Sequence, residues 1–180
     1  MGRSPYGVAR YTKHVGFSPV FSKPFRSAVE ISLRSTLIVP SQREALDRVL
    51  HWAECFRGKS AVNVFASEPF PKEVWLRYQV ALAEGFTNVV RHAHEQLPLE
   101  TPVELEMQIE GTRIVLKIWD LGPPFDLLGK LQERLEQPRP KTLATGGYGL
   151  VIMYRAADEL RYEREAGDRN CLTLVWNLSE

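Results

Sequence analysis

Apolar and polar positions recur along this chain with two periods, and those periods divide residues 31–180 into strands and helices. Ile31–Val39 reads as a strand stopped by Pro40. Ser41 and Glu44 then form a capping-box pattern, and Ala45, Leu46, Val49, Leu50, Ala53 and Phe56 follow at helical spacing, with Gly58 as the predicted stop. Past Pro69 and Pro71 a longer helix is predicted over roughly 71–95, its apolar side made of Val74, Tyr78, Ala81, Leu82, Gly85, Phe86 and Val89. Pro98 and Pro102 punctuate its exit. Val103, Leu105, Met107 and Ile109 alternate with Glu104, Glu106, Gln108 and Glu110, which predicts a strand with one wet face. A turn at Glu110–Thr112 returns the chain through Ile114, Leu116 and Ile118, giving an antiparallel hairpin.

Residues 121–147 are richer in glycine, proline and charge, with a short helical piece near Leu127–Leu135. A connection of that length inside a compact domain reads as a lid. A helix begins near Tyr148 and runs to about Ala157, and Leu160–Glu163 pairs with Cys171–Leu178 across a Gly167–Asp168 turn. The pattern is that of an α+β domain with helices on one face of a sheet. Residues 1–30 show no period and read as a flexible or loosely docked extension, or alternatively as a partner-binding arm; residues 31–180 are expected to form the folded domain.

Composition narrows the function classes. The 180 residues are 44% hydrophobic and 25% charged, enough for a real core in one soluble domain, with a formal net charge of +1. Residues 1–29 hold five basic side chains (Arg3, Arg10, Lys13, Lys23, Arg26) and no acidic one, leaving 18 basic against 22 acidic side chains from residue 30 onward. The body is therefore mildly acidic, a poor footprint for nucleic acid. Cys55 and Cys171 form neither a CxxC nor a Cys/His cluster and read as reduced, mostly buried thiols. No apolar run is long enough to span a bilayer and no secretory signal is present, so a cytoplasmic location is expected, away from membranes.

Three constellations carry candidate chemistry. Glu84, Asn88 and His92 stand at i, i+4 and i+8 on the long helix and project along one side. Alone, such spacing is more often a solvated stripe, but it would serve an oxygen ligand for Mg²⁺ (Asn88) and a base (Glu84). Asp120-Leu121-Gly122-Pro123-Pro124-Phe125 follows an apolar strand. A carboxylate there can accept a hydrogen bond from an exocyclic amine, although Asp-x-Gly-Pro is also ordinary turn chemistry. Thr145-Gly146-Gly147-Tyr148-Gly149-Leu150 opens a helix, where exposed N–H groups and the helix terminus can cradle phosphate. No Gly-Lys-Ser/Thr follows, so this is not a Walker loop. The bland readings elsewhere place His14 and His51 at the surface, keep His94 off the His92 face, and put Trp52, Trp75, Trp119 and Trp176 in core or interface.

Taken in order, these three motifs resemble the N box and the two glycine boxes of the GHKL ATPase family, over about residues 31–180. The resemblance implies the Bergerat fold, a two-layer α/β sandwich in which a mixed, mostly antiparallel sheet is covered on one face by helices. A stand-alone domain with this N box is most similar to the anti-sigma-factor serine kinases of bacterial partner switching. That implies ATP and Mg²⁺ as cofactors, with Glu84 as base, Asn88 on the metal, Asp120 reading the adenine amine and Gly122 making room for the base. Gly146, Gly147 and Gly149 would wrap the phosphates beside Tyr148 and Leu150, with Lys141, Thr142 and His92 as further contacts. The implied partners are a STAS-type antagonist protein, phosphorylated on serine or threonine, and a sigma factor or similar regulator, with the kinase itself a homodimer. One departure stands out: Arg169-Asn170 occupies the place of the Gly-Thr pair that usually enters the last strand. A nucleotide-binding regulatory module without useful catalysis is the alternative reading.

Overall fold

The structure, a computed structural model, describes residues 9–12, 32–63, 71–136 and 148–178. Six strands form one sheet: β1 (Ala9–Thr12), β2 (Ser32–Pro40), β3 (Pro102–Glu110), β4 (Arg113–Asp120), β5 (Glu159–Glu165) and β6 (Arg169–Asn177). Their order is β1-β5-β6-β4-β3-β2, and every pairing is antiparallel. The α+β sandwich expected from the sequence is the architecture found. Within residues 1–30, Ala9–Thr12 pairs with β5 as an edge strand. Its four residues alternate too briefly for a periodicity argument to detect.

Among the described residues four α-helices accompany the sheet: α1 (Leu46–Asn63), α2 (Lys72–Asn88), α3 (Leu127–Glu136) and α4 (Gly149–Ala156). The apolar stripe of α2 buries Trp75, Tyr78, Ala81, Leu82 and Phe86 against Leu105, Met107, Ile114, Leu116 and Ile118 of the central strands. Tyr78 stacks on Trp75 at 5.2 Å and leans on Trp176 at 5.0 Å, while Trp176 donates its indole N–H to the Ala156 carbonyl at 2.7 Å. That bond lets a large polar-tipped ring be wholly buried. Trp75 and Trp176 are core residues, as expected.

Three local expectations fail, each for a physical reason. The Ser41–Glu44 capping box does not form: the Ser41 N–H is taken by the Thr101 carbonyl at 2.9 Å, its hydroxyl is buried without a partner, and a 3-10 turn at Arg43–Ala45 starts the helix instead. Gly58 does not stop α1, because it lacks the left-handed φ of a C-terminal cap and the helix continues to Asn63. Glu106 is not on a wet face; it is 1% exposed and paired with Arg34 and Lys117 across the neighbouring strands. Cys171 is buried as predicted, whereas Cys55 is exposed.

Candidate functional site

Directly after Asn88 the long helix widens into a π-helical turn over Val89–Ala93, closed by the His94 N–H bonding to the Val89 carbonyl at 2.8 Å. Such turns interrupt regular helices most often at functional sites. Here the widened turn carries Val89, His92 and Ala93 to the wall of a cleft of about 370 Å³. Asn88 lines the same cleft, facing Gly149 and Leu150 at the start of α4. The far wall is Asp120, Pro123, Pro124 and Phe125, and Met153, Leu172 and Tyr162 are apolar or aromatic members of the lining. A volume of this size suits a small organic ligand.

Glu84 does not itself line the cleft, but its carboxylate lies hard against α4. A methyl group placed on Gly149 would stand 2.7 Å from Glu84 Oε2 and 3.1 Å from both terminal atoms of Asn88. With no side chain on Gly149, the tips of Glu84 and Asn88 can lie directly against the start of α4; a methyl there would push them aside. The two motifs, separated by some sixty positions in sequence, thus converge on one point. Asn88 Nδ2 is buried there without a hydrogen-bond partner. A buried amide left unsatisfied is costly unless a ligand completes it. The N-terminus of α4 adds the positive potential that favours an anion. Lys130 and Arg134 of α3 also line the cleft and bring cationic side chains to it.

Among the described residues no group of three or more His, Cys, Asp or Glu side chains could hold a metal unaided. The chemistry of the donor set nevertheless fits Mg²⁺, which takes one or two protein oxygens and completes its shell with water and substrate phosphate. The Asn88 carboxamide oxygen is the protein oxygen available for that role, while its unsatisfied Nδ2 is a donor suited to a phosphate oxygen.

At the opposite end Asp120 is 4% exposed and closes an Asx turn, its Oδ1 accepting from the Gly122 N–H at 2.8 Å. A methyl on Gly122 would meet the Ala93 carbonyl at 2.6 Å and Ala93 Cβ at 2.8 Å, so glycine is required where this loop presses on the π turn. His94, 3% exposed, accepts the Leu121 N–H on Nε2 at 2.9 Å and so ties the loop down from the helix side. An imidazole accepting on Nε2 is neutral, with its proton on Nδ1. Burial pushes its pKa below the usual value, while the Asp120 charge pulls the other way. Burial also pushes the Tyr162 hydroxyl up, with the Asp120 charge adding to the effect; the Tyr162 ring meets Phe125 edge-on at 6.4 Å.

Of the site residues predicted from sequence, Asn88, His92, Asp120, Gly149 and Leu150 line the cleft. Glu84 and Gly122 abut it through Gly149 and Ala93, and Tyr148 caps α4. Lys141, Thr142, Gly146 and Gly147 lie outside the described residues. Sequence reasoning missed Lys130, Arg134 and Tyr162, which no motif flags, and gave Phe125, inside the Asp120–Phe125 motif, no role. It also set aside His94, whose role rests on contact with a loop 27 positions away.

Comparison with known proteins agrees with this geometry. The family model of the histidine kinase-like ATPase domain matches residues 39–176. No curated protein matches the sequence significantly. Among solved structures, the crystal structure of the RsbU and RsbW domains of Rv1364c from Mycobacterium tuberculosis superposes with a TM-score of 0.53 at 13% identity. The match covers 81% of this chain and 33% of that one, and it shows likeness of fold. Among the described residues no helix is long and apolar enough to cross a membrane. With the family model spanning all three motifs and the helix–sheet core between them, the chain belongs to the histidine kinase-like ATPase domain family, whose ATPase character implies nucleotide binding.

Proposed function

We propose that this protein is a cytoplasmic, ATP-dependent serine/threonine kinase of the partner-switching type. It phosphorylates a small STAS-type antagonist protein and, when unopposed, sequesters a sigma factor or similar regulator, acting as a homodimer. The observation that carries this reading is the meeting of Glu84 and Asn88 at Gly149, which sets a carboxylate and an unsatisfied amide at a helix N-terminus. The likeness of fold to an RsbW domain supports the same branch.

Phosphoryl transfer asks a protein mainly to position groups and to neutralise charge. Asp120 accepts the exocyclic amine of adenine, and Gly122 lets the base approach the loop. Tyr148, Gly149, Leu150 and His92 would hold the phosphates, and the family resemblance assigns Gly146, Gly147, Lys141 and Thr142 to the same group. Asn88 would supply an oxygen to Mg²⁺, which would offset phosphate charge. Glu84 takes the proton of the acceptor hydroxyl as that oxygen forms its bond to the γ-phosphorus and ADP leaves.

The test is incubation of the protein with Mg-ATP and a STAS-type antagonist, followed by mass spectrometry of the antagonist. Phosphate on one serine or threonine is the expected result. Tight ATP binding with no phosphoprotein, across a panel of such antagonists, would replace the kinase with a nucleotide-binding regulatory module.

A further inference from the structure

The strand register sets Arg164 of β5, Asn170 of β6 and Asp120 of β4 in one cross-strand row. Asn170 is 0% exposed. Its Nδ2 donates to Asp120 Oδ1 at 2.8 Å and to the Gly122 carbonyl at 3.1 Å. Arg164 Nη1 donates to Asn170 Oδ1 and to the Gly122 carbonyl, both at 2.9 Å. The chemistry of its neighbours allows the Asn170 amide one orientation. A carboxylate can only accept and a guanidinium can only donate, so turning the amide over would oppose oxygen to oxygen and nitrogen to nitrogen.

The row has a consequence for the cleft. Asp120 Oδ1 already accepts from two donors, Asn170 Nδ2 and the Gly122 N–H. Oδ2 has none among the described residues, while Asp120 itself lines the cleft. We infer that Asn170, oriented by Arg164, is a positioning residue for base selection. It anchors one carboxylate oxygen of Asp120 so that the other faces the cleft as a fixed acceptor, selecting a purine that presents an amine donor. This rests on the reading of the cleft as an ATP site and deepens it. Arg164 is the outer support, held in turn by Asp168 at 3.2 Å.

The experiment compares Kd for ATP and for purine riboside triphosphate, which lacks the 6-amino group, in wild type, Asn170→Ala and Arg164→Met. Thermal unfolding without nucleotide verifies that each variant folds. Wild type is expected to prefer ATP, and Asn170→Ala to lose about tenfold of that preference through weaker ATP binding, the scale of a hydrogen bond to a charged group. Arg164→Met, at a position with solvent access, should lose a smaller part in the same direction. If both variants fold and keep the wild-type ratio, or if both nucleotides weaken equally, Asn170 is structural only and the inference is overturned while the ATP site stands. If wild type binds ATP no better than the analogue, the reading of the cleft falls first and the inference with it.

Discussion

The two ends of the cleft are built on opposite principles. At the base end the atoms that hold the loop are bonded in advance, Asp120 Oδ1 to Asn170 and Gly122, the Leu121 N–H to His94, the Gly122 carbonyl to Arg164 and Asn170, which leaves Asp120 Oδ2 as the open acceptor. At the phosphate end the Asn88 amide nitrogen is buried and unsatisfied, beside the Glu84 carboxylate and the start of α4. Recognition of a neutral, planar base needs a rigid acceptor, and a sheet row provides one. Binding of a charged phosphate group leaves a donor waiting, because the ligand's own oxygens complete its hydrogen bonds. The difference predicts that changes at the phosphate end act on catalysis with little effect on the fold, while changes at the base end reach both affinity and stability.

The largest effect should come from Glu84. Glu84→Ala removes the proposed base and should lower phosphotransfer by about 10²- to 10⁴-fold with nucleotide affinity retained, read by single-turnover assay beside calorimetric titration. Gly149→Ala sharpens the same point. Its methyl would press on the tips of Glu84 and Asn88 rather than on backbone, so the helix can stay in place while the two side chains move. A displacement of that kind costs about 10²-fold in rate, and the melting temperature of the variant should stay near that of wild type. A collapse of the fold instead would mean that the close approach is structural.

The smallest effect is the pH dependence of the base end. His94 in the folded protein takes a proton only below its ordinary value, whereas in the unfolded chain it does so near pH 6.5. Its contribution is therefore complete above about pH 6.5 and is lost as the pH falls below it, since the unfolded chain then binds the proton more readily. Protonation would also remove the acceptor for the Leu121 N–H. Melting temperatures at pH 7.5 and 5.5 should fall more in wild type than in His94→Gln. Equal slopes would remove His94 from the loop's support.

How much of this could be read in the sequence follows from the range of each interaction. The hairpin of β3 and β4 was legible because its alternation and its turn at Gly111 lie within twenty residues. The N box and the glycine boxes were legible as patterns, since each is contiguous or at helical spacing. Of the expected single stripe, Asn88 and His92 stand in the cleft wall and Glu84 lies against Gly149, with a π turn that no propensity announces between Asn88 and His92. Asn170 was visible in the sequence only as a departure from a usual pair. Its bond to Asp120 needed the register of three strands, and that in turn depends on the β5–β6 turn through Gly167 and Asp168, both at positive φ. Glu106 shows the opposite failure: its alternation was read correctly, but the cross-strand cations that bury it were not.

The most direct test of the cleft as an ATP site is thermal unfolding of the wild-type protein and Asp120→Asn, each with and without Mg-ATP. Ligand at a hundred times its Kd adds about 2.7 kcal/mol to native-state stability, worth roughly 5–10 °C for a chain of this size. The account predicts a rise of that order in wild type and most of it lost in Asp120→Asn. A folded wild-type protein whose melting temperature is unmoved by saturating Mg-ATP would contradict it.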